Sequence, residues 1–241
     1  MRTIRYQEIA AALRDRVALE GPGHVLPSES DLSAEFEVSR VTVRRALELL
    51  RDDGLLESRQ GFGWFVRTAP LQQRLGRLET IESQLLERGV HPERQILEFA
   101  FVEATAQVRD RLDYPQVLEV KRLNLADGVP FAVVTVWCPA WLGERFSRRD
   151  VERQPFYELI GMELRGAVQT IGAAAATEAD AALLEVPVGS PVLRCERLTT
   201  TVAGEPILLS EHIFPAHRTE FVVDLPQAEP SIVPSGLRLV E

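Results

Sequence analysis

The order of helix and turn signals in the first seventy or so residues constrains the fold more than any other feature of this sequence. Apolar residues recur at helical spacing over residues 4–19, and a Gly-Pro-Gly segment ends that helix at 21–23. Ser28 and Ser39 are then suitable N-caps for two further helices, because a serine hydroxyl can accept from the first free backbone N–H groups. Asp31, three residues after Ser28, can complete a capping box. The segment therefore predicts three successive helices.

Two short strands follow the third helix and complete the pattern. Residues 55–59 and 64–67 carry apolar and aromatic side chains, and a Gln-Gly-Phe-Gly turn lies between them at 60–63. Three helices and a β-hairpin in this order are typical of a winged helix-turn-helix, a fold that binds DNA. We therefore predict a DNA-binding domain over residues 1–67.

The third predicted helix has an apolar face and a basic face. A recognition helix enters the major groove with its N-terminal residues foremost, where an arginine fork can bind guanine and hydroxyl groups can bind phosphate. Glycine in the hairpin turn lets the wing approach the DNA backbone. The predicted DNA-binding residues are Ser39, Arg40, Thr42, Arg44, Arg45, Gln60 and Gly61. One exposed arginine alone is more simply a solvated helix face, so this prediction depends on the whole set.

The charge of the chain opposes DNA binding only at first sight. The formal net charge is -9, whereas nucleic acid attracts basic surfaces. Residues 38–67 nevertheless hold six arginines against four acidic residues. A small basic patch on an acidic protein can still bind phosphate locally.

Composition and the polar N-terminus predict a globular, cytoplasmic protein. Hydrophobic residues make up 45% of the chain and charged residues 26%. No apolar run reaches the roughly 18 residues that a membrane helix needs, and the N-terminus turns polar too soon for a secretory signal. Cys138 and Cys195 show no metal-ligand spacing. We therefore predict buried free thiols in a reducing compartment, with no metal, no cofactor and no membrane partner.

The rest of the chain alternates strands with short helices, which predicts an α+β domain on a mainly antiparallel sheet. An Asp-Gly pair at 127–128 favours a hairpin between two of the strands. Residues 68–77 are predicted to be a linker, and residues 226–241 a loosely held tail. The predicted strands are 96–103, 117–125, 131–138, 167–173, 191–201, 205–214 and 220–223, and the predicted helices are 105–112, 156–160 and 177–184.

Residues 26–66 resemble the winged-helix domain of GntR-type bacterial regulators nearly end to end. Several motifs in one order carry the resemblance: Leu26-Pro27-Ser28-Glu29, Val38-Ser39-Arg40-Val41-Thr42-Val43-Arg44, Ala46-Leu47, Gly54-Leu55-Leu56 and Arg59-Gln60-Gly61-Phe62-Gly63. One position departs from the pattern, since the family often has arginine where this chain has Ser30. The operator preference is therefore expected to differ.

Residues 75–225 resemble, less closely, the UTRA effector-sensing domain of the HutC-type subfamily. The motifs are Val120-Lys121-Arg122-Leu123, Ala126-Asp127-Gly128-Val129-Pro130, Gly189-Ser190-Pro191-Val192-Leu193-Arg194 and Gly204-Glu205-Pro206-Ile207. The resemblance implies a fold like chorismate lyase over residues 78–225, with a ligand pocket on its sheet and dimerisation through this domain. The implied partners are double-stranded operator DNA, a small-molecule effector and a second copy of the chain.

The predicted ligand follows from four departures from the sugar-phosphate sensors of this subfamily. Where those proteins commonly carry an arginine, an acid, a serine and a second acid, this chain has Asn124, Val134, Pro155 and Leu208. A phosphate dianion favours several forked donors, and Arg122 alone remains of that set. We therefore expect a monoanionic or less polar ligand. The predicted effector residues are Arg122, Asn124, Val134, Leu208 and, on the same strand face as Leu208, His212.

Simpler alternatives stay open for two of these residues. Arg122 can instead form a structural ion pair, with Glu211 as a candidate partner, and His212 can lie on the solvent face or at the dimer seam. An enzyme is not predicted, because the histidines lack metal-ligand spacing and no nucleophile elbow or phosphate-binding loop occurs. The resemblance favours a repressor that its ligand releases from the operator. An architectural DNA-binding protein without a ligand would leave the second domain unexplained.

Overall fold

The N-terminal part of the chain folds as three helices followed by a two-stranded wing. The computed structural model describes residues 5–59, 62–68, 70–75, 85–86 and 89–223. The helices are α1 (Arg5–Glu20), α2 (Glu29–Glu35) and α3 (Arg40–Asp52), and the wing consists of the antiparallel strands β1 (Leu56–Arg59) and β2 (Gly63–Val66). The predicted winged helix-turn-helix order is therefore confirmed.

Side-chain caps determine where α2 and α3 begin. The Ser28 hydroxyl accepts from the backbone N–H of Asp31 at 3.2 Å, and the Asp31 carboxylate accepts from the backbone N–H of Ser28 at 3.2 Å. The Ser39 hydroxyl accepts from the backbone N–H of Thr42 at 3.3 Å. Both predicted caps are confirmed. The three helices share one buried core, whose members include Ile9, Leu13, Leu32, Val43, Leu47 and Leu50.

The C-terminal part is built on a six-stranded antiparallel sheet. Its strands are β4 (Pro92–Glu103), β5 (Gln116–Ala126), β6 (Val129–Pro139), β7 (Leu164–Ala175), β8 (Pro191–Thr201) and β9 (Pro206–Pro215). Their spatial order is β4-β5-β6-β9-β8-β7. Asp127 and Gly128 join β5 to β6 with φ angles of 49° and 79°, the backbone that a tight two-residue hairpin requires. The predicted α+β class and the Asp-Gly hairpin are confirmed.

Short helices cover both faces of this sheet. They are α4 (Ala106–Leu112), α5 (Ala140–Gly143), α6 (Arg148–Arg153), α7 (Phe156–Ile160) and α8 (Glu178–Leu184). The first face, which packs against α5, α6 and α7, carries Val120 and Val134, and we call it the α7 face. The opposite face packs against α4 and α8 and carries Leu123 and Val133, and we call it the α8 face. Successive residues of each strand point to different faces.

Three parts of the C-terminal fold differ from the sequence-based expectations. Within the predicted linker 68–77, Leu71–Leu75 forms a strand, β3, which pairs in parallel with β10 (Thr219–Val223) as a separate two-stranded sheet. Residues 220–223 are a strand, as predicted, but this strand pairs outside the main sheet. Helices α5 and α6 were not predicted. The pairing of β3 with β10 joins segments far apart in the chain, so the sequence of neither segment shows a pattern that predicts it. Residues 76–77 and the predicted tail lie outside the described residues.

A membrane-crossing helix, which would need a long apolar run, does not occur in the part of the chain that the structure describes.

The wing packs against the α8 face, so the two parts of the chain share an apolar core. Phe62, in the wing turn, and Phe65, on β2, are buried in one cluster with Leu123 of the sheet and Leu184 of α8. The two phenyl rings meet edge to face with centroids 5.4 Å apart. The His217 ring lies 4.2 Å from that of Phe62. The wing is therefore docked against the C-terminal domain.

The buried imidazole of His217 makes stability depend on pH. Burial, with a smaller contribution from the Arg218 guanidinium, lowers the pKa of His217 from 6.5 to about 3. Between these values the unfolded chain binds a proton that the folded chain does not. The free energy of unfolding is therefore lost as pH falls through this window, by up to about 1.4 kcal/mol per pH unit.

Urea denaturation at neutral and mildly acidic pH tests this expectation. Between pH 7 and pH 5, the wild type should lose about 2 kcal/mol more stability than His217→Gln, because glutamine does not titrate. The difference between the two proteins removes the contribution of the carboxylates, which both share. Equal pH dependence in the two proteins would contradict the assignment.

Candidate DNA interface and effector site

Helix α3 presents a basic face to solvent. The side chains of Arg40, Arg44 and Arg45 are exposed, and Val41 between them is 78% exposed. The apolar residues on the opposite side of the helix form the domain core. An exposed apolar side chain at the front of a recognition helix can contact a thymine methyl group. Val41 therefore joins the arginines as a candidate base contact that sequence analysis did not include.

Glu29 orients the Arg44 side chain and ties three elements together. Arg44 donates from Nε and Nη2 to the Glu29 carboxylate at 3.1 and 2.7 Å, and Trp64 of the wing donates from Nε1 to the same carboxylate at 3.1 Å. The Arg44 hydrogen bond is the main cause of the lowered pKa of the Glu29 carboxyl. The guanidinium of Arg44 is therefore held in the groove between α3 and the wing.

Ser30 contacts Arg40 directly. The Arg40 Nη2 group donates to the Ser30 hydroxyl at 2.7 Å. The resemblance leads one to expect an arginine at position 30. This chain has a serine there, and its hydroxyl orients the neighbouring cation of Arg40. This contact gives the departure at Ser30 a structural role next to the predicted base-reading residues.

The other predicted DNA-binding residues have different surroundings. The Ser39 and Thr42 hydroxyls lie 2.9 Å apart at the start of α3. The Arg45 guanidinium lies 4.6 Å above the Tyr6 ring of α1, a cation–π contact that directs it along the helix surface. Gln60 and Gly61 lie outside the described residues.

The five predicted effector residues lie on one face of the large sheet. In the strand register, Arg122 of β5 is opposite Val134 of β6, which is opposite His212 of β9. Asn124 is two residues from Arg122, and Leu208 is four residues from His212, so alternation gives both the same orientation. This is the α7 face. The structure therefore places all five on one face, with Arg122, Val134 and His212 side by side and Asn124 and Leu208 farther along the strands in opposite directions.

These five residues combine polar groups with buried apolar side chains. Arg122 is only 6% exposed, Asn124, Val134 and Leu208 are also buried, and His212 is half-buried. The His212 Nε2 atom lies 3.0 Å from the Ser210 hydroxyl. A buried guanidinium beside an amide and apolar side chains can bind a small anion that has an apolar part.

Comparison with known proteins identifies both parts of the chain. Residues 5–66 match the family described as bacterial regulatory proteins, gntR family, and residues 87–220 match the UTRA domain. The chain belongs to the GntR family. The transcriptional regulator Rv0792c of Mycobacterium tuberculosis is 31% identical over 97% of this chain and 89% of its own length. The probable transcriptional regulator PhnF of Escherichia coli is 32% identical over 91% of this chain and 95% of its own.

A solved structure agrees with the fold of this GntR-family chain. The crystal structure of PhnF from Mycobacterium smegmatis superposes with a TM-score of 0.62 at 25% identity, over 91% of this chain and 99% of that one. Members of this family are transcription regulators rather than enzymes, and the sequence-based assignment to GntR with a UTRA domain is confirmed.

Sequence analysis missed a second buried guanidinium on the α7 face of the regulator. Arg197 of β8 is buried and lies opposite Ser210 in the strand register. It donates from Nε to Gln169 at 2.7 Å and from Nη1 to the Tyr157 hydroxyl of α7 at 3.1 Å. Arg122 is thus the remaining forked cation of the predicted set, but this face carries a second one. Side chains along β8 alternate between the two faces of the sheet, and this alternation could have indicated that Arg197 is on the buried face.

The alternative role considered for Arg122, an ion pair with Glu211, is wrong. Glu211 pairs with Arg194, and it is opposite Thr135, which is in turn opposite Lys121 in the register. Those residues belong to the α8 face. A one-residue step along β9 reverses side-chain direction, so Glu211 and Arg122 are on different faces of the sheet.

The two cysteines match the prediction of buried free thiols. Cys138 and Cys195 are free and buried, and burial is the main cause that raises the pKa of each thiol to about 12. A thiol nucleophile needs a lowered pKa, so neither cysteine has the properties of a nucleophile.

Proposed function

We propose that this GntR-family regulator is a cytoplasmic repressor that binds operator DNA as a homodimer and is released by a small, anionic or partly apolar metabolite. Residues 1–67 would bind DNA, 68–77 connect the domains, 78–225 bind effector and partner, and 226–241 form a tail. The observation that carries the proposal is the row from Arg122 to His212 on the α7 face, on a chain whose other end exposes an oriented pair of arginines.

The DNA-binding half of the proposal is supported by the preorganised side chains of α3. Arg40 and Arg44 are held by Ser30 and Glu29 and point into the surface that a recognition helix presents to the major groove. The neighbouring groove between α3 and the wing has a volume of about 700 Å³ and includes Arg51 and Arg59 in its lining. Cations so arranged suit the phosphates on either side of a base-reading helix.

The effector half is tested by a thermal-shift screen of metabolites on the full chain. A ligand present at a hundred times its dissociation constant should add about 2.7 kcal/mol of stability. Small carboxylates with an apolar or ring substituent are expected to produce shifts, and the hits should weaken DNA binding. A hit that strengthens DNA binding would overturn the repressor-release proposal, and no hit in a broad anion set would count against the pocket.

Dimerisation is supported by the edge strand β7. It is the last strand of the sheet on its side, and residues 166–177 contain no charged residue. Val168 is 74% exposed and Ile171 is 38% exposed. Soluble proteins usually protect a long apolar edge with charges or proline. We infer that β7 pairs with β7 of a second chain, which symmetric dimers permit because both partners present the same surface.

Light scattering should give twice the chain mass of 27.0 kDa at micromolar concentration. Val168→Lys places a charge on the edge and should yield a monomer with weaker operator binding. Val202→Lys changes another exposed valine, in the β8–β9 turn, and should remain a dimer. A monomeric wild type, or a Val168→Lys variant that dimerises normally, would contradict the β7 interface.

A further inference from the structure

Arg218 bridges the two domains through backbone carbonyls. It lies in the turn between β9 and β10 and is only 4% exposed. Its Nη1 group donates to the carbonyl of Pro130 in the β5–β6 hairpin at 2.8 Å, and its Nε group donates to the carbonyl of Gly23 at 3.1 Å. Its Nη2 group also donates to Gly23. Gly23 belongs to the N-terminal domain, between α1 and α2.

The contact between Arg218 and Gly23 requires a glycine at position 23. Gly23 has a φ of 79°, and a Cβ atom there would lie 2.7 Å from Arg218 Nε. Its backbone N–H donates to the carbonyl of Val66, the last residue of the wing, at 2.9 Å. A guanidinium that binds Gly23 therefore also holds the wing sheet.

Arg218 also holds the connection between the domains. Its backbone carbonyl accepts from the N–H of Leu71, the first residue of β3, at 2.7 Å. The parallel pairing of β3 with β10 continues directly from this bond. The connecting segment and the wing are thus bound at one residue of the C-terminal domain.

In this docked arrangement the DNA-facing groove is partly enclosed. Phe62 in the wing turn is only 6% exposed, although a wing turn needs to be free to approach DNA. Pro187, in the turn after α8, lines the same groove as Arg44 and Arg59. The Arg59 guanidinium lies 5.5 Å from the buried Phe65 ring. Pro187 of the C-terminal domain therefore forms part of the wall of this groove, while Glu29 and Phe65 of the N-terminal domain contact Arg44 and Arg59.

We propose that Arg218 is a latch that holds the winged helix in a docked conformation unable to bind operator, so that DNA binding requires the Gly23 contact to open. The inference rests on the proposed function and adds the device that regulates it. β9 carries the effector-row residue His212 six positions before Arg218. The His212 ring stacks on Phe214, which contacts Phe221 of β10 edge to face. A ligand that tightens this end of β9 would favour the latched state, because it binds that state better.

The test compares Arg218→Met with wild type on a duplex that the wild-type protein selects from a random-sequence pool, without any effector. Methionine keeps much of the side-chain volume and removes the donors without leaving a buried charge. Amide hydrogen exchange of the wing and α8 should speed up. Operator affinity should rise by about tenfold, the equivalent of one charge-assisted hydrogen bond lost from the docked state. Arg218→Lys should give an intermediate increase, because one ammonium replaces the fork.

Arg111→Met is the matched control, since Arg111 is a half-exposed residue of α4 that pairs with Glu196 within the same domain. It should change neither exchange nor affinity. Faster exchange in a folded Arg218→Met chain whose operator affinity is unchanged or lower would overturn the latch and leave the proposed function standing. If the wild type selects no DNA sequence from the pool, the proposed function itself fails. Unchanged exchange and affinity in both Arg218 variants would also overturn the latch.

Discussion

Replacing Arg44 with alanine is expected to weaken operator binding by about 1–3 kcal/mol, or roughly 5- to 150-fold, and to leave folding intact. The side chain is exposed on α3 and contributes nothing to the core. Its guanidinium is already oriented by Glu29, so DNA gains a fork whose rotamer freedom has largely been removed before binding. Arg40→Ala should have a similar effect, because Ser30 orients Arg40 in the same way.

Fluorescence anisotropy on the selected duplex measures these losses. Glu29→Gln should weaken binding less than Arg44→Ala, since the cation remains but loses its orientation. Arg14→Ala is the control, because Arg14 is an exposed arginine of α1 paired with Asp53, beyond the C-terminal end of α3. Normal operator affinity in both Arg40→Ala and Arg44→Ala would refute their assignment as DNA-binding residues.

Replacing Arg122 with alanine is expected to produce a regulator that binds its operator but no longer responds to its effector. Arg122 is buried in the α7 face, where a bond between a guanidinium and an anionic ligand is shielded from water. Loss of that bond should weaken ligand binding by about 3 kcal/mol, roughly a hundredfold. Operator binding by the free protein should persist, because Arg122 is not part of the DNA-binding domain.

Calorimetry and an operator-release assay, with a ligand from the thermal-shift screen, test the role of Arg122. Lys121→Ala is the matched control, since it removes the adjacent cation of the same strand from the opposite face of the sheet. Operator affinity also serves as the folding check for each variant. Normal binding and release in Arg122→Ala would defeat this assignment, and tight binding of glucosamine 6-phosphate would defeat the inferred ligand class.

Features determined by neighbouring residues were predictable from the sequence. Ser28 and Ser39 cap their helices as expected, and Asp127-Gly128 forms the expected hairpin, because caps and tight turns depend on a few adjacent residues. Alternation placed Arg122 and Asn124 on one face of β5, and Leu208 and His212 on one face of β9, since side chains along a strand repeat with a period of two.

Features that depend on distant segments were not predictable. The β3–β10 pair and the Arg218–Gly23 contact join residues whose proximity no local pattern records. Phe62 was expected only as part of a DNA-facing turn, whereas it is buried against the C-terminal domain. Arg197 was not predicted because the effector positions came from a resemblance, and that set includes no residue on the buried side of β8. The suggested ion pair between Arg122 and Glu211 was wrong because it rested on their opposite charges alone. Their side chains point to opposite faces of the sheet.

The central sheet also separates two demands that natural selection places on a sensor. Arg122 and Leu123 are neighbours in the chain, yet the first belongs to the proposed ligand row and the second to the surface that holds the wing. Since the layer is one residue thick, a substitution that alters which metabolite is recognised can leave the opposite surface unchanged. Such a chain can acquire a new chemical input over generations while retaining its existing genetic output.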